Sequence, residues 1–242
     1  MTLNIQSISA KFNDLQQMIH VMTLNKSNPD IICLQELWQF PPTVSFVLHG
    51  YHPLIYKLRN SSQGGGVGIY VNLKFKYKHL PEISIFSEPI FESIFVEVKI
   101  NPSQSLTISS LYRPGTKHPK LTISEGNQQF LELFTNLCAS LSLLPHHVYL
   151  LGDLNIDVLK YGLCEISTNY IDVMFSFGLI QIITKPIRCT VNSATLIDHI
   201  ITNASCNDLS TSILISHISD HFPIVHHIKN VPKSTHPQTI EF

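Results

Sequence analysis

The segment VYLLGDLN (residues 148–155) is a short apolar run that ends in a glycine, an acid and an amide. Four consecutive apolar residues followed by such groups indicate a short strand buried in a mixed α/β core. Gly152 would let a ligand approach the backbone closely. If the chain stays extended, Asp153 and Asn155 face the same side, because side chains alternate along a strand. An acid and an amide on one face can bind a phosphate or orient a water molecule, although Asp-x-Asn is also a common turn.

The same arrangement recurs along the chain. Glu36 follows the apolar run 31–35, and Asp198 lies inside a second run. Asp220 and His221 directly precede a third run. Polar groups at the ends of buried strands are awkward for packing and useful for chemistry. Their repetition predicts that the strand ends converge on one cationic cofactor.

Composition restricts the class of protein. The 242 residues can form one large domain with a substantial core, and 44% hydrophobic with only 14% charged residues argues strongly against a disordered chain. The formal net charge is −1, so no global basic field indicates a nucleic-acid partner, although a local basic rim would suffice. Five scattered cysteines without CxxC spacing predict free thiols in a reducing compartment.

The two ends of the chain carry further expectations. Residues 1–6 lack the basic start and apolar core of a signal peptide, and no apolar run is long enough to span a bilayer. We therefore expect a protein that is neither secreted nor inserted in a membrane. Residues 1–229 are expected to form one domain, and residues 230–242, with Pro232 and Pro237, a frayed tail or linker.

Apolar periodicity predicts a mixture of strands and helices. Helices are expected over residues 11–25, 124–143 and 169–177. Strands are expected over residues 3–6, 31–35, 67–71, 91–100, 105–112, 148–151, 196–202, 211–216 and 222–228. One α/β domain, in which two sheets pack face to face and are flanked by helices, accounts for this order.

Glu36 is the first candidate for a metal ligand. A hard cation such as Mg²⁺ prefers oxygen ligands and keeps several waters, so one or two carboxylates with an amide oxygen suffice. Glu36 would place its carboxylate in a pocket rimmed by Trp38, and Asn4 is a second polar group at an early strand end. Taken alone, Glu36 could instead be an acid at a helix N-terminus, and Asn4 a turn residue.

The segment 219–221, Ser-Asp-His, is the sharpest local signal for catalysis. A histidine titrates near neutral pH and can take a proton from water, and Asp198 could orient its ring. The chain has 13 histidines, however, and most of them must be ordinary surface residues. Tyr112 and Arg113 end another predicted strand, where a phenol and a guanidinium suit a phosphodiester. A strand-edge aromatic followed by a turn is the alternative.

Taken in order, these motifs resemble the endonuclease/exonuclease/phosphatase superfamily. The motifs are Asn4, Leu34-Gln35-Glu36, Leu111-Tyr112-Arg113-Pro114, Leu151-Gly152-Asp153-Leu154-Asn155, Thr195-Leu196-Ile197-Asp198-His199-Ile200 and Ser219-Asp220-His221. More narrowly, residues 178–198 are similar to the apurinic-type endonuclease domain of non-LTR (LINE-type) retrotransposons. The likeness covers nearly the whole chain.

The resemblance implies a fold and a metal site. The fold would be a four-layer α/β-sandwich, with two packed, mostly antiparallel sheets flanked by helices. The site would be a Mg²⁺-dependent phosphodiesterase centre in which Mn²⁺ can substitute. Glu36 would be the main metal ligand, with Asn4 nearby and Asp220 completing the cluster.

The resemblance also implies the remaining roles. Tyr112 would contact the scissile phosphate. Asp153 and Asn155 would position or activate the nucleophile and stabilise the leaving group, and Asp198 would hold His221. The residues expected to face DNA are Arg113, Arg188, Thr190 and Ser193, with Lys185 in the same basic rim.

The expected function is therefore an endonuclease that nicks double-stranded DNA and leaves 3′-hydroxyl and 5′-phosphate ends. Either His221 or Asp153 would be the general base. The expected role is target-primed reverse transcription in the nucleus, after synthesis in the cytoplasm, as part of a longer polyprotein with a reverse transcriptase. Two alternatives stay open: a phosphatase or phosphodiesterase acting on a phospholipid or inositol phosphate, and a catalytically inactive nucleic-acid-binding module.

Overall fold

The computed structural model of the protein describes residues 1–60, 62–115, 120–189, 193–205 and 209–228. The predicted tail, residues 230–242, lies outside this range. The described residues form three α-helices, α1 (Ile8–Leu24), α2 (Ile123–Ser142) and α3 (Glu165–Ser176), and short 3-10 helices over Pro81–Ile83 and Val158–Lys160. Their fifteen strands are β1 (Thr2–Asn4), β2 (Ile31–Gln35), β3 (Ile55–Lys57), β4 (Val67–Val71), β5 (Lys76–His79), β6 (Phe86–Ser87), β7 (Phe91–Asn101), β8 (Gln104–Tyr112), β9 (Val148–Asp153), β10 (Ile180–Gln181), β11 (Arg188–Cys189), β12 (Ala194–Thr195), β13 (Asp198–Thr202), β14 (Leu209–Ile213) and β15 (Ile224–Ile228).

The strands form two large sheets and one small hairpin. Sheet one has the order β14-β15-β1-β2-β4-β3, and sheet two the order β10-β13-β9-β8-β7-β5, with β6 also paired to β7. The hairpin is β11-β12. Among the described strand pairs, only β1–β2 and β8–β9 are parallel, and each of these is joined by a helix that crosses over. The predicted pair of mostly antiparallel sheets is confirmed.

Three apolar clusters hold the layers together. The inner cluster lies between the sheets and combines, for example, Cys33 and Ile69 of sheet one with Tyr149 of sheet two. Because side chains alternate along a strand, the other face of each sheet is also apolar. On sheet one this face packs against α1, and on sheet two it packs against α2 and α3. The order α1, sheet one, sheet two, α2 with α3 is the predicted four-layer sandwich.

The helices begin earlier than the periodicity predicts, and capping explains this for α1 and α2. Ser7 accepts a hydrogen bond from the Ala10 amide (3.4 Å), so α1 begins at Ile8 and not at residue 11. In α2, Thr122 and Glu125 form a reciprocal capping box, whereas the predicted start was Ser124. The helix α3 begins at Glu165 and not at residue 169. A first turn holds too few residues for apolar periodicity to detect.

Several strand boundaries also differ from the prediction. The run 196–202 forms a strand only from Asp198, because the backbone carbonyls of Leu196 and Ile197 accept hydrogen bonds from Val158 and Leu154. The strands predicted at 211–216 and 222–228 are β14 and the shorter β15. Six short strands were missed (β3, β5, β6, β10, β11 and β12), since two to four residues carry little periodicity.

This topology brings the predicted polar strand ends to one edge. Parallel strands end on the same side, so Asn4 at the end of β1 lies beside the end of β2, where Glu36 follows. Likewise Tyr112 is the register partner of Asp153 at the ends of β8 and β9. Asp198 starts β13, which runs antiparallel to β9, and it is paired with Asp153 on that strand's other side. We refer to this edge as the catalytic edge. Of the helices in the described part of the chain, none is both long and apolar enough to cross a bilayer.

Candidate active site

Glu36 is held just beyond β2 by three donors. Its backbone is in the left-handed region (φ 53°), which turns the chain away from the strand direction. Its Oε1 accepts hydrogen bonds from the Asn4 amide (3.0 Å) and the Tyr112 hydroxyl (3.0 Å), and its Oε2 accepts one from the Trp38 indole (3.1 Å). The carboxylate is half-buried. Glu36 therefore has a fixed orientation and stays accessible from solvent.

Asn4 joins the two sheets at this edge. It is fully buried, and its Nδ2 donates both to Glu36 Oε1 (3.0 Å) and to Asp153 Oδ2 (2.9 Å). Its amide oxygen accepts a hydrogen bond from the Gln6 backbone (3.2 Å). Asn4 thus presents its amide nitrogen to both carboxylates. It lies beside the predicted metal site, between Glu36 and Asp153.

Asp153 is the buried acid of the catalytic edge. It is only 1% exposed, and its Oδ1 accepts a hydrogen bond from the Asn155 backbone (3.0 Å). Burial, followed by repulsion from the neighbouring Asp198 carboxylate, raises the pKa of Asp153 to about 7. A carboxylate with such a pKa can accept a proton near neutral pH, which an ordinary aspartate does poorly.

His221 and Asp198 form the contact that was predicted from sequence. The His221 Nδ1–H donates to Asp198 Oδ2 at 2.7 Å, and both side chains are buried. The other ring nitrogen, Nε2, lies 3.9 Å from Asp153 Oδ2 and 3.7 Å from Asp220 Oδ1. Burial lowers the pKa of His221, but the surrounding carboxylates, Asp198 first, outweigh it and raise that pKa to about 9. The ring is therefore a cation at neutral pH.

Asp220 is the exposed acid of the catalytic edge. Its Oδ2 accepts two hydrogen bonds from the Arg188 guanidinium, from Nη2 (2.6 Å) and Nε (3.0 Å), and its Oδ1 accepts one from the Gln6 amide. Partial burial acts to raise the pKa of Asp220, but the bond from Arg188 and the charge of His221 lower it overall. Asp220 thus stays ionised and links the β11-β12 hairpin to the site.

Tyr112 is a hydroxyl donor and not a phenolate. Burial, and then the charges of Glu36 and Asp153, raise its pKa well above the ordinary value. The hydroxyl therefore keeps its proton and donates a hydrogen bond to Glu36. The predicted contact of Tyr112 with a phosphate remains a prediction.

Asn155 and Arg113 form contacts within the protein that the sequence did not predict. The chain is not extended after β9, because Asn155 is left-handed (φ 50°) and its amide donates to the Arg113 carbonyl (2.8 Å). Asp153 and Asn155 therefore do not share one face of a strand. The Arg113 guanidinium donates to Asn127 Oδ1 (2.6 Å) and to the Leu154 carbonyl (3.3 Å). It fastens this turn to α2, and these bonds compete with the predicted contact of Arg113 with a DNA phosphate.

The remaining residues predicted to face DNA belong to the β11-β12 hairpin and its approach. Arg188 lies in β11, and its guanidinium, 40% exposed, reaches the catalytic edge through Asp220. Lys185 and Ser193 are exposed on either side of β11. Thr190 lies outside the described residues. Contact of this hairpin with DNA stays a prediction.

Backbone strain concentrates at the catalytic edge. Of the six described non-glycine residues with positive φ, five lie here: Gln6, Ser7, Glu36, Trp38 and Asn155. Such conformations cost about 1–3 kcal/mol each and persist where the surroundings impose them. Gln6 was missed from sequence, because a glutamine after a strand has no chemistry of its own. Only its contact with Asp220, 214 residues further on, gives it a place in the site.

The donor set fits a divalent cation. Four carboxylates meet at the catalytic edge, from Glu36, Asp153, Asp198 and Asp220, whereas the cations in contact with them are His221 and Arg188. An excess of negative oxygen ligands is what a hard cation requires. Ligand atoms of Asp153, Asp198 and His221 also lie within 4.8 Å of one another, but the protonated His221 ring has no free nitrogen for a metal and itself supplies the positive charge there. Glu36 and Asp220 are the more accessible acids.

Sequence and structure comparisons agree with this geometry. The chain matches the family model "Endonuclease/Exonuclease/phosphatase family" over residues 1–221. No curated protein matches the chain significantly. The endonuclease domain of TRAS1, a telomere-specific non-LTR retrotransposon, superposes with a TM-score of 0.68 at 14% identity, over 94% of this chain and 95% of that one.

Two further solved structures have the same fold. An AP endonuclease from Archaeoglobus fulgidus has a TM-score of 0.66 at 19% identity, over 95% of this chain and 98% of that one. The 3′ phosphatase NExo from Neisseria, bound to a product DNA hairpin, has a TM-score of 0.65 at 15% identity, over 94% and 97%. These likenesses establish the fold, and the family match covers almost all of the chain. The protein therefore belongs to the Endonuclease/Exonuclease/phosphatase family and is a hydrolytic enzyme of the nuclease and phosphodiesterase type.

Proposed function

We propose that the protein is a Mg²⁺-dependent endonuclease that nicks double-stranded DNA and leaves 3′-hydroxyl and 5′-phosphate ends. One observation carries the proposal: Asn4 donates at once to Glu36 (3.0 Å) and to Asp153 (2.9 Å). An accessible acid suited to a cation is thereby held next to a buried acid suited to a proton. Hydrolysis of a phosphodiester requires both functions at neighbouring positions.

Glu36 and Asp220 are the residues that we propose to hold the metal, with Mn²⁺ able to replace Mg²⁺. When bound, such a cation supplies Lewis-acid stabilisation of the charge that develops on the phosphate and on the leaving oxygen. The protein's part is to orient the ligands. Asn4, Tyr112 and Trp38 fix both oxygens of Glu36 by hydrogen bonds.

Asp153 is the general base in this proposal, and His221 is a hydrogen-bond donor. The pKa of Asp153 is about 7 and that of His221 about 9, so at neutral pH the carboxylate can accept a proton while the imidazolium already carries one. A water molecule would transfer its proton to Asp153 as its oxygen forms the new bond to phosphorus. The bond from phosphorus to the 3′ oxygen breaks, and that oxygen takes a proton from solvent. The His221 Nε2–H, directed by Asp198, would donate to a phosphate oxygen.

The substrate and the biological role follow from resemblance. The solved structures with this fold include an enzyme bound to a DNA hairpin and the endonuclease domain of a non-LTR retrotransposon. We propose that this chain likewise acts on DNA, in the nucleus, to open a target site for reverse transcription as part of a longer polyprotein. The β11-β12 hairpin, through Arg188, is the proposed point of contact with the DNA backbone.

Incubation of supercoiled plasmid with the protein and Mg²⁺ tests the proposal. We expect open-circular DNA whose nicks are extended by a polymerase without phosphatase treatment and sealed by a ligase. Protein carrying Glu36→Gln, purified in the same way, controls for contaminating nucleases. A parallel plasmid with abasic sites shows whether such sites are preferred.

Two outcomes would replace this function with another. Phosphate release from inositol phosphates without nicking would assign the phosphatase alternative. Retained DNA binding without nicking, under every divalent cation tried, would assign the inactive binding module.

A further inference from the structure

A buried ion pair lies behind the catalytic edge and takes no part in the proposed chemistry. The Arg59 Nε–H donates to Glu92 Oε1, with Glu92 fully buried and the Arg59 side chain 8% exposed. Glu92 lies in β7, and Arg59 precedes the Gly64–Gly66 turn that leads into β4. The Arg59 Nη2 has no hydrogen-bond partner among the described residues, so Glu92 is the main compensation for its charge.

Glu92 is connected to Glu36 through the turn Gly64–Gly66, here called the glycine turn. Its Oε2 accepts a hydrogen bond from the Gly66 backbone (2.7 Å). The carbonyls of Gly65 and Gly66 in turn accept hydrogen bonds from the Trp38 backbone (2.9 Å) and the Leu37 backbone (3.2 Å). Trp38 is the residue whose indole donates to Glu36. Four hydrogen bonds, two of them side by side between the glycine turn and residues 37–38, therefore connect Glu92 to Glu36 Oε2.

Arg59 is connected to Glu36 by a second route. Its guanidinium carbon lies 5.6 Å from the centre of the Tyr112 ring, within range of a cation–π contact. Tyr112 donates its hydroxyl to Glu36 Oε1 (3.0 Å), and it is the register partner of Glu92 on the neighbouring strand. The pair is thus linked to the donors of both Glu36 oxygens, to Tyr112 by direct contact and to Trp38 through the glycine turn.

The glycine turn is shaped around this pair. Gly65 has φ +77°, and a Cβ built there would overlap the Arg59 guanidinium. A larger residue there would force the Arg59 guanidinium, which lies over Tyr112, to shift. The requirement for glycine at this position thus follows from the ion pair as well as from the backbone conformation.

We propose that Arg59 and Glu92 are positioning residues that set the orientation of Glu36, and through it the metal-binding geometry. This inference rests on the proposed function. Stability alone gives little reason for the pair, because replacing a buried ion pair by apolar residues of similar volume is often neutral or stabilising. Removing one partner, by contrast, leaves an uncompensated charge in the interior.

Two single variants and a matched control test the proposal. Glu92→Gln keeps the shape of the side chain and removes its charge, and Gly65→Ala moves Arg59 by overlap. Each is expected to lower kcat for nicking by about 10- to 100-fold, the range for residues that orient metal ligands, with KM for DNA little changed. Phe134→Leu, a core substitution in α2 far from Glu36, controls for lost stability. If Glu92→Gln loses no more activity than Phe134→Leu, the pair is structural only.

A double variant separates positioning from folding. In Arg59→Met/Glu92→Met both charges are removed together, so thermal unfolding should return to near that of the wild type. The low kcat should persist, because Tyr112 and the glycine turn have lost their contacts. Recovery of kcat together with stability would overturn the proposal.

The single tryptophan provides a readout that does not depend on activity. Trp38 is the one tryptophan of the chain, and its indole donates to Glu36. In metal-free protein, Glu92→Gln and the double variant should shift Trp38 emission to the red and increase its quenching by acrylamide, whereas Phe134→Leu should not. Unchanged emission in all three variants would overturn the inference. Because this readout needs no DNA and no metal, it decides the inference even if the wild type does not nick plasmid.

Discussion

The two parallel strand pairs of this molecule each deliver two residues to the catalytic edge, yet they support them differently. In sheet one, β1 and β2 lead to Asn4 and Glu36; in sheet two, β8 and β9 end at Tyr112 and Asp153. Glu36 lies in a left-handed turn, is held by neutral donors and stays half-exposed. Asp153 is buried and lies beside the Asp198 carboxylate. Burial and this like charge together raise the pKa of Asp153 to about 7.

The comparison shows how one topological unit produces two kinds of acid. In a β-α-β unit the two strands are parallel, so both end at the same edge of the sheet. Beyond that point the environment decides: solvent access and neutral donors leave an acid suited to a cation, whereas burial beside like charge leaves an acid suited to a proton. Substitutions at Glu36 and at His221 each disturb one of these two acids.

The largest effect is expected from the sheet-one acid. Glu36→Gln removes the charge that we propose to hold the cation, and should lower kcat for plasmid nicking by about 10³-fold or more, because a bound metal contributes several kcal/mol of transition-state stabilisation. Thermal unfolding should stay near that of the wild type, since the side chain lies at the surface edge and not in the core. Nicking at the wild-type rate, by the variant or by wild type in excess chelator, would exclude a metal role.

The sheet-two side should show a smaller loss. His221→Ala removes the donor beside Asp153 and is expected to reduce kcat by about 10²- to 10³-fold, the range for losing one hydrogen-bond donor to a charged transition state. Asp198→Asn should lose less, because the ring stays in place with a weaker partner at Nδ1. Rates of nicking by the two variants, measured at equal DNA occupancy, provide the test. A His221→Ala enzyme within a few-fold of wild type would remove His221 from the mechanism.

A stability effect is expected at His199, which follows Asp198 in β13 and lies on the opposite face of sheet two. His199 is buried. Its Nδ1 forms a hydrogen bond with the Tyr170 hydroxyl (2.8 Å), and its Nε2 forms one with the Ile156 carbonyl (3.0 Å). Burial lowers its pKa from 6.5 to about 4. Between these values the unfolded chain binds more protons, so stability rises with pH through this window and falls as pH drops below about 6.5.

At pH 4 the free energy of unfolding should be lower by about 3 kcal/mol because of His199, since each unit of pKa difference corresponds to a tenfold change in the unfolding equilibrium. Urea unfolding of wild type and of His199→Gln at several pH values measures it. The variant has no titrating ring, so its stability should depend less steeply on pH from 6.5 to 4. Equal slopes for the two proteins would show that His199 is not held neutral by the fold.

The smallest effect concerns the basic groups around the edge. With Arg113 engaged inside the protein, Arg188 and Lys185 remain as the phosphate donors that we propose, so DNA affinity should fall with salt with a log–log slope of about −2, at about −0.9 per phosphate. In the inactive Glu36→Gln background, Arg188→Gln should reduce the slope by about one unit, and Arg113→Gln should leave it unchanged. A slope of about −6 or steeper would require a further basic surface.

Much of the architecture could be predicted from local patterns. The apolar runs around residues 31–35, 67–71 and 148–151 are strands as expected, since short buried runs bounded by turns have few other solutions. Short strands such as β3 and β10 could not be predicted, because they exist through their pairing and not through their own periodicity. The convergence of Asn4, Glu36, Asp153, Asp198 and His221 was also expected, because each follows or begins a buried strand.

Other parts of the site depended on contacts that no local pattern encodes. Arg113 has the residue type and strand-end position of a phosphate donor, but its guanidinium donates hydrogen bonds to the Leu154 carbonyl and to Asn127. Arg59 and Glu92 have no motif, and they become connected to Glu36 only in the folded chain, through the glycine turn and through Tyr112. Sequence alone left the general base open between His221 and Asp153, since both are titratable and both lie at the edge.

By itself, the sequence determined which chemical groups this protein has and the order in which its strands present them, because side-chain chemistry and apolar periodicity are local properties. Only the tertiary structure decided what each group can do. The pKa of Asp153 depends on its burial and on a carboxylate 45 residues away in sequence, and the orientation of Glu36 depends on donors from three separate segments. Desolvation and distance create these properties, and both arise when the two sheets pack together.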